Sequence, residues 1–466
     1  MKIYNTITKN KEEFKPIEEG KVSMYVCGPT VYGLPHVGHA KSYVFFDVVY
    51  RYLTYLGYKV KYVQNITDVG HLVGDGDTGE DKIERMAKKE QVDPYEIAYY
   101  YENKYFDAME KLNVKKPTIS SRATGNIPEI IAFIDELIKK GYAYVTEEGN
   151  VYYDITKFKN YGKLSNRSLD ETLSGQRITV ADDKRNPSDF ALWKKAVNGH
   201  IMKWNSPWSI GYPGWHIECS TMIRKFLGNV IDIHGGGMDN VFPHHECELA
   251  QSTALNGNDE FVHYFIHNNL VTVNGQKMGK SLNNFVTLDD LFNDFDPMVI
   301  RFYLLNSYYR KPTDFSNEKI EQAKLKFIEI SDLYNSLLKI ESSSSDKNDE
   351  IEKNIVSFKE ALDEDFNTPL AISYLYEINK IINKLINNKD YKYVNQVLDF
   401  YNDLVIGVLG LNLKVQEKTK DTEEVDFVKY LNELREKMRN KKEYEISDEI
   451  RDFLIKNNID VHDKQV

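Results

Sequence analysis

Cysteine is scarce in this chain. Only Cys27, Cys219 and Cys247 are present, and an odd, scattered set excludes a disulfide framework and fits a reducing cytoplasm. No Cys-x-x-Cys pair exists, so no paired-ligand metal finger can be read from spacing. Apolar runs of membrane-spanning length are missing, and Met1-Lys2-Ile3-Tyr4-Asn5 lacks the apolar segment of a secretory signal. Positive charge is not in excess: the formal net charge is −11. That excludes indiscriminate nucleic-acid binding, yet a shaped RNA can still be met by local basic patches. No internal repeat is found. What remains is 466 residues, 41% hydrophobic, enough for two or three domains with full cores. Composition thus describes a soluble intracellular enzyme and no more.

Two short segments carry chemistry. His36-Val37-Gly38-His39 follows an apolar run, Val22 to Val26, and opens a helical pattern with Val44, Val48, Tyr52 and Leu56 on one face. The chain turns at Gly57 and returns through Val60, Tyr62 and Val63. A strand–helix–strand unit results, with both histidines at the crossing, where a helix N-terminus collects anions. Gly38 offers no side chain, so a flat ring can lie against the backbone. Far downstream, Lys277-Met278-Gly279-Lys280-Ser281 follows a hairpin signal, Asn274-Gly275. Imidazole donors and ammonium groups suit a nucleotide phosphate as charge builds in a transition state. The two segments, in this order within α/β patterning, resemble the HIGH and KMSKS signatures of class I aminoacyl-tRNA synthetases.

The predicted fold is α/β, a Rossmann-type parallel-sheet catalytic domain with an insertion, followed by α-helical C-terminal domains. Residues 1–110 read as the first half of the sheet. Residues 111–228 read as a connective insertion, with a hairpin from Tyr142 to Asp154 and loop-rich sequence from Asn160 to Ser188. Residues 229–314 resume the sheet at Asn229 to Ile233, with a strand at Tyr264 to His267 and the Lys-rich loop. Residues 315–412 turn helical, with Ser316 as an N-cap and a second helix opening at Asn367-Thr368-Pro369. Glu341 to Glu350 is a flexible link. Residues 413–466 form a small C-terminal helical piece.

Cys27 ends the first strand, and Cys219 lies in Trp215-His216-Ile217-Glu218-Cys219-Ser220. His244 and Glu248 sit four apart in Pro243-His244-His245-Glu246-Cys247-Glu248 and share a helix face. Two sulfurs, an imidazole and a carboxylate suit zinc. On spacing alone, buried, unreactive thiols and a surface histidine are the favoured reading. The Trp215 to Ser220 and Pro243 to Glu248 segments resemble cysteinyl-tRNA synthetases, as do Lys184-Arg185-Asn186-Pro187 and Asp189-Phe190 with Trp193-Lys194. The similarity runs from about residue 20 into the C-terminal helices.

That resemblance implies a cysteine–tRNA ligase that uses ATP with magnesium and holds one zinc ion on Cys27, Cys219, His244 and Glu248. It implies that His36, Gly38, His39, Lys277 and Lys280 bind ATP and that the two histidines and two lysines assist catalysis. Gly28, Thr67, Trp215 and Asp239 would shape the amino-acid pocket. On pattern alone, Trp215 reads as core, Thr67 as a strand residue and Asp239 as a turn former. A zinc with an open position selects a thiolate over serine's hydroxyl, so no editing domain is needed. Implied partners are tRNA(Cys), L-cysteine and ATP, with no membrane, and the chain is expected to be a cytoplasmic monomer. Arg435, Lys437, Arg439, Lys441 and Lys442 form a basic cluster suited to phosphates, although such runs are commonly solvated faces.

Four departures from the family pattern stand out. Gly279 replaces a serine, Val69 to Glu80 lengthens a compact passage, Cys247 lies one turn from His244 as an alternative ligand to Glu248, and Asp463-Lys464-Gln465-Val466 ends the chain without a Trp-containing tail. The stretch with Asp75 and Asp77 fails the calcium-loop pattern and reads as a surface loop. Two rival readings fit the sequence less well. A ligase joining cysteine to an amino sugar would lack the helices after Phe315, and an RNA binder without activity would have no use for both histidines and both lysines.

Overall fold

The computed structural model describes residues 1–73, 79–167, 183–258, 260–279 and 284–413, then 431, 434–435, 437–439, 441 and 443–456. Residues 1–413 form one compact unit and the remainder a second. In the first unit, a hairpin of β1 (Lys2–Asn5) and β2 (Asn10–Glu13) leads into β3 (Lys21–Val26) and α1 (Val37–Tyr55). Next come β4 (Lys59–Ile66), α2 (Lys82–Glu90), α3 (Pro94–Lys111), β5 (Ile119–Arg122) and α4 (Ile127–Lys139). An antiparallel group follows: β6 (Ala143–Val145), β7 (Val151–Tyr153), β8 (Phe190–Lys195), β9 (Trp204–Asn205) and β10 (Ile210–Pro213). The chain then builds α5 (Ile217–Phe226), β11 (Ile231–Gly237), α6 (Glu246–Asn256) and β12 (Val262–Asn268). The segments β13 (Val271–Val273) and β14 (Gln276–Lys277) precede α7 (Leu288–Asp294), α8 (Pro297–Leu305) and β15 (Thr313–Phe315).

The five-stranded sheet has the order β12-β11-β3-β4-β5, and every neighbouring pair is parallel. From β3 the chain winds outward to β4 and β5, then returns to lay β11 on the other flank of β3. Between β3 and β11 the order reverses, and in open α/β sheets the crevice at the carboxyl ends of such a pair receives ligands. Crossover helices cover the sheet, so β3 and β11 read as apolar: Val22, Met24, Tyr25, Val26, Ile231 and Ile233 are buried.

The sheet runs past residue 110, because Ile119–Arg122 pairs with Val63–Ile66. Its four residues, Ile-Ser-Ser-Arg, lie at the edge and lack the apolar run that marked the other strands. The inserted sheet spans β6 to β10, and its first hairpin forms over the predicted Tyr142 to Asp154 stretch. Helices α9 (Asn317–Leu337), α10 (Asp349–Asp363), α11 (Thr368–Asn387) and α12 (Val394–Phe400) follow β15. Ser316 caps α9 and Asn367 caps α11, each accepting a backbone N–H. In the link before α10, Asn348 caps that helix, and Asn395 Nδ2 donates to the carbonyls of Ser342 and Ser344. In the second unit, Tyr444–Lys456 is helical.

Candidate active site

A cavity of about 410 Å³ opens at the β3–β11 crevice. His36, Gly38, His39, Lys277, Cys27, Gly28, Trp215 and Asp239 all line it. Thr67 is not among its lining residues: buried beneath, its hydroxyl donates to Glu218 Oε2 at 2.9 Å and accepts from Asn65 Nδ2. Lys280 lies outside the described residues, as do Ser281, Asp75, Asp77, Lys442 and the chain's last four residues.

The two histidines open α1 as its own cap. His36 Nδ1 accepts the Gly38 N–H at 3.1 Å, and His39 Nδ1 accepts the His36 N–H at 3.2 Å. The rings stack with centroids 3.8 Å apart. Accepting at Nδ1 leaves Nε2 as the protonated, donating nitrogen on each ring. Burial, then the neighbouring His36, holds His39 well below the usual imidazole range, so it is neutral. A side chain at position 38 has no room, since a Cβ would meet the His36 ring at 2.9 Å. At position 28 a Cβ would lie 1.7 Å from the Asn65 carbonyl oxygen. Lys277 is exposed on β14, and Asn284 closes the loop base by accepting the Gly279 N–H at 2.8 Å and donating to the Lys277 carbonyl.

Beside the cavity lie the four predicted metal ligands. Cys27 extends from β3, Cys219 is on α5, and His244 and Glu248 enter and begin α6. All four are buried, with ligand atoms within 4.8 Å of one another. The sulfurs are 3.9 Å apart, Cys219 Sγ is 3.5 Å from His244 Nε2, and Glu248 Oε1 is 3.1 Å from that nitrogen and 3.8 Å from Cys27 Sγ. A tetrahedral zinc with bonds of about 2.3 Å to sulfur and 2.0–2.1 Å to nitrogen or oxygen needs edges of about 3.8 Å between sulfurs and 3.3–3.6 Å elsewhere. The donor set therefore fits zinc in both chemistry and spacing. Burial pushes the Cys27 thiol up, Cys219 up to about 11, and raises the Glu248 carboxyl. Burial thus favours the neutral form of both thiols; a divalent ion reverses that preference.

Cys247 does not compete. Its sulfur faces Tyr161 Oη at 3.6 Å, away from the ligand group, because one residue along a helix turns the side chain by roughly 100°. A second grouping, Cys27, His234, His245 and Glu248, shares two ligands with the first. Its own histidines are better placed as supports. His234 Nε2 is 2.8 Å from Glu248 Oε2 and His245 Nε2 is 3.1 Å from Cys27 Sγ, while His245 Nδ1 is 2.8 Å from His267, which reaches Thr6. Partners of this kind orient metal ligands. Sequence reasoning missed His234, His245, His267 and also His216, whose Nδ1 is 2.9 Å from His244 Nδ1. No ligand spacing marks them, and only the alternation of β11, which turns His234 to the same face as Gly236, gives a hint.

Residues 13–325 match the model of the class I tRNA synthetase (C) catalytic domain, and residues 357–414 match the DALR domain. The cysteine–tRNA ligase of Chlorobaculum tepidum is 49% identical, covering 99% of this chain and 96% of that protein. The chain belongs to the cysteinyl-tRNA synthetase family. Other family members include the cysteine–tRNA ligase of Bacteroides thetaiotaomicron, 45% identical over 99% of this chain and 97% of its own, and that of Deinococcus radiodurans, 43% identical over 99% and 94%. The fold is also that of the Mycobacterium tuberculosis methionyl-tRNA synthetase solved with methionyl-adenylate. It aligns with a TM-score of 0.61 at 14% identity, over 84% of this chain and 92% of that one. In this cysteinyl-tRNA synthetase family member, the HIGH-like histidines and the first KMSKS-like lysine share one crevice, and the four-residue cage adjoins it through Cys27.

Proposed function

We propose that this chain activates L-cysteine with ATP and magnesium and transfers it to tRNA(Cys). The observation supporting cysteine as substrate is the convergence of two thiols, an imidazole and a carboxylate beside the cavity that holds both signature segments. Cys27, Cys219, His244 and Glu248 would hold a zinc ion, which would supply a soft Lewis acid for the substrate thiolate, a partner that serine's hydroxyl replaces poorly. Rejection of a ligand lacking its key partner reaches the order of 10⁴, more than cavity shape gives for near-isosteres.

In the first step a cysteine carboxylate oxygen attacks the α-phosphorus of ATP, a phosphorus–oxygen bond forms, and the bond to pyrophosphate breaks. His36 and His39 donate Nε2–H to phosphate oxygens, where negative charge builds. Lys277, with Lys280, neutralises the departing pyrophosphate. Asp239 faces the substrate ammonium, Gly28 gives backbone access, Trp215 walls the pocket and Thr67 supports it from below. In the second step the terminal 2′-hydroxyl of the tRNA attacks the activated carbonyl and AMP leaves. Positioning does most of this work, since phosphoryl transfer asks for little covalent help.

The helices from residue 315 onward are assigned to tRNA, the protein acting as a cytoplasmic monomer. The DALR match over residues 357–414 supports that over an amino-sugar ligase. Lys437, Arg439 and Lys441 are exposed for phosphate contact, whereas Arg435 is buried. Cysteine-dependent ATP–pyrophosphate exchange, followed by charging of tRNA(Cys), tests the reading. Exchange with cysteine and not with serine is expected; exchange indifferent to the amino acid sinks it.

A further inference from the structure

His71 has no part in the chemistry above, yet it lines the same cavity with Thr30, Lys82 and Trp215. It is 7% exposed. Its ring lies flat on Trp215, with centroids 4.0 Å apart and planes 12° from parallel. The same indole also stacks on His244, at 4.4 Å and 27°. His71, Trp215 and the proposed ligand His244 therefore form one stacked group.

Both ring nitrogens of His71 are engaged. Lys82 Nζ is 2.7 Å from Nε2, and Thr30 Oγ1 is 2.6 Å from Nδ1. An ammonium only donates, so Nε2 accepts and Nδ1–H donates to the Thr30 oxygen. The backbone is pinned as well. The Lys82 N–H donates to the His71 carbonyl and the Val73 N–H to the Glu80 carbonyl, each at 2.9 Å. Gly70 N–H donates to Asp81 Oδ2 at 2.7 Å. At Gly70, φ is +78°, and a Cβ there would sit 2.3 Å from the Pro213 carbonyl oxygen, two residues before Trp215. The passage carrying His71 is thus seated on the very strand that delivers Trp215.

A ring clamped at both nitrogens and at its backbone is more than filler. We propose that His71 is a positioning residue: by stacking on Trp215 it fixes the indole wall of the amino-acid pocket, while His244 keeps its own partner in His216, whose Nδ1 is 2.9 Å from His244 Nδ1. This deepens the reading of the site as a cysteine pocket and rests on it. The partner of the positioned wall is the amino acid, so ATP recognition at His36 and His39 should be indifferent to it.

His71→Ala should raise KM for cysteine in pyrophosphate exchange by about three- to tenfold, the worth of one aromatic pair, with KM for ATP and bound zinc unchanged. His71→Phe, which keeps the flat stack and loses both hydrogen bonds, should recover most of the cysteine KM. The tryptophan fluorescence change on adding cysteine without ATP should weaken in His71→Ala and return in His71→Phe. Should His71→Ala fail to fold, His71→Gln, which has no ring, carries the same expectation. An unchanged cysteine KM in the ringless variant, or a His71→Phe protein as impaired as His71→Ala, overturns the proposal. Wild-type protein inactive with cysteine would instead overturn the function on which it rests.

Discussion

At the scale of single residues, Cys219 separates a metal cage from a cluster of buried thiols. A serine there keeps the shape and removes one sulfur, a softer and more easily ionised ligand than a hydroxyl. Cys219→Ser should bind zinc at least tenfold to a hundredfold more weakly, as measured by competition with a chromogenic chelator. Its preference for cysteine over serine in exchange should collapse while ATP binding persists. Wild-type zinc content and selectivity in that variant would mean the cage is bystander packing. The ligands were legible only because flanking residues resembled a family. Their chain separation hides them from any spacing rule, since they meet through the parallel register of β3 with β11 and the packing of α5 on α6. The supporting histidines were illegible for the same reason: each gains its role from a neighbour on a different element.

At the scale of elements, α1 couples the two signature segments. Lys41, 3% exposed, directs its ammonium to the carbonyls of Leu270 at 3.2 Å and Lys311 at 2.7 Å. Those carbonyls precede β13 and β15, the strands that base the lysine loop. Burial lowers its pKa to about 7, against an ordinary value of 10.5. The sign follows from proton counting: between those values the unfolded chain binds more protons, so this group's cost is complete below pH 7 and fades as pH rises towards 10.5. The stability of Lys41→Met relative to wild type should therefore improve as pH falls from 10 to 7, as read by urea unfolding. A difference independent of pH would contradict it.

The same helix carries Asp47, held by Arg51 Nε at 2.7 Å and by the fully buried Arg301 of α8. Arg301 also donates to the carbonyls of Leu112 at 2.9 Å and Leu409 at 2.8 Å. Arg301→Met leaves Asp47 with Arg51 as its one guanidinium partner and strands the two carbonyls in the core; at about 1–3 kcal/mol for each stranded group it should cost about 2–5 kcal/mol in the same unfolding measurement, and a loss below about 1 kcal/mol would mean the network is replaceable. Helix caps and apolar stripes made these helices readable in sequence, whereas a buried arginine spanning three segments leaves no periodic trace. The edge strand β5 was missed for a related reason: pairing with β4, not its own composition, makes it a strand.

At the scale of the whole molecule, a chain of net charge −11 is proposed to grip RNA. Only local basic patches can do so, and their contacts weaken as counterions compete. Raising salt from about 50 to 200 mM should depress tRNA charging at limiting tRNA by tenfold or more while leaving pyrophosphate exchange nearly level. Equal losses in both assays would argue against phosphate-led binding. The central claim, that a caged cation reads the substrate's sulfur, is tested most directly by X-ray absorption at the zinc edge. Two protein sulfurs at about 2.3 Å are predicted around the metal, becoming three when cysteine is added and staying two with serine. A sulfur shell unmoved by cysteine, or a protein purified without stoichiometric zinc that still prefers cysteine to serine, would contradict it.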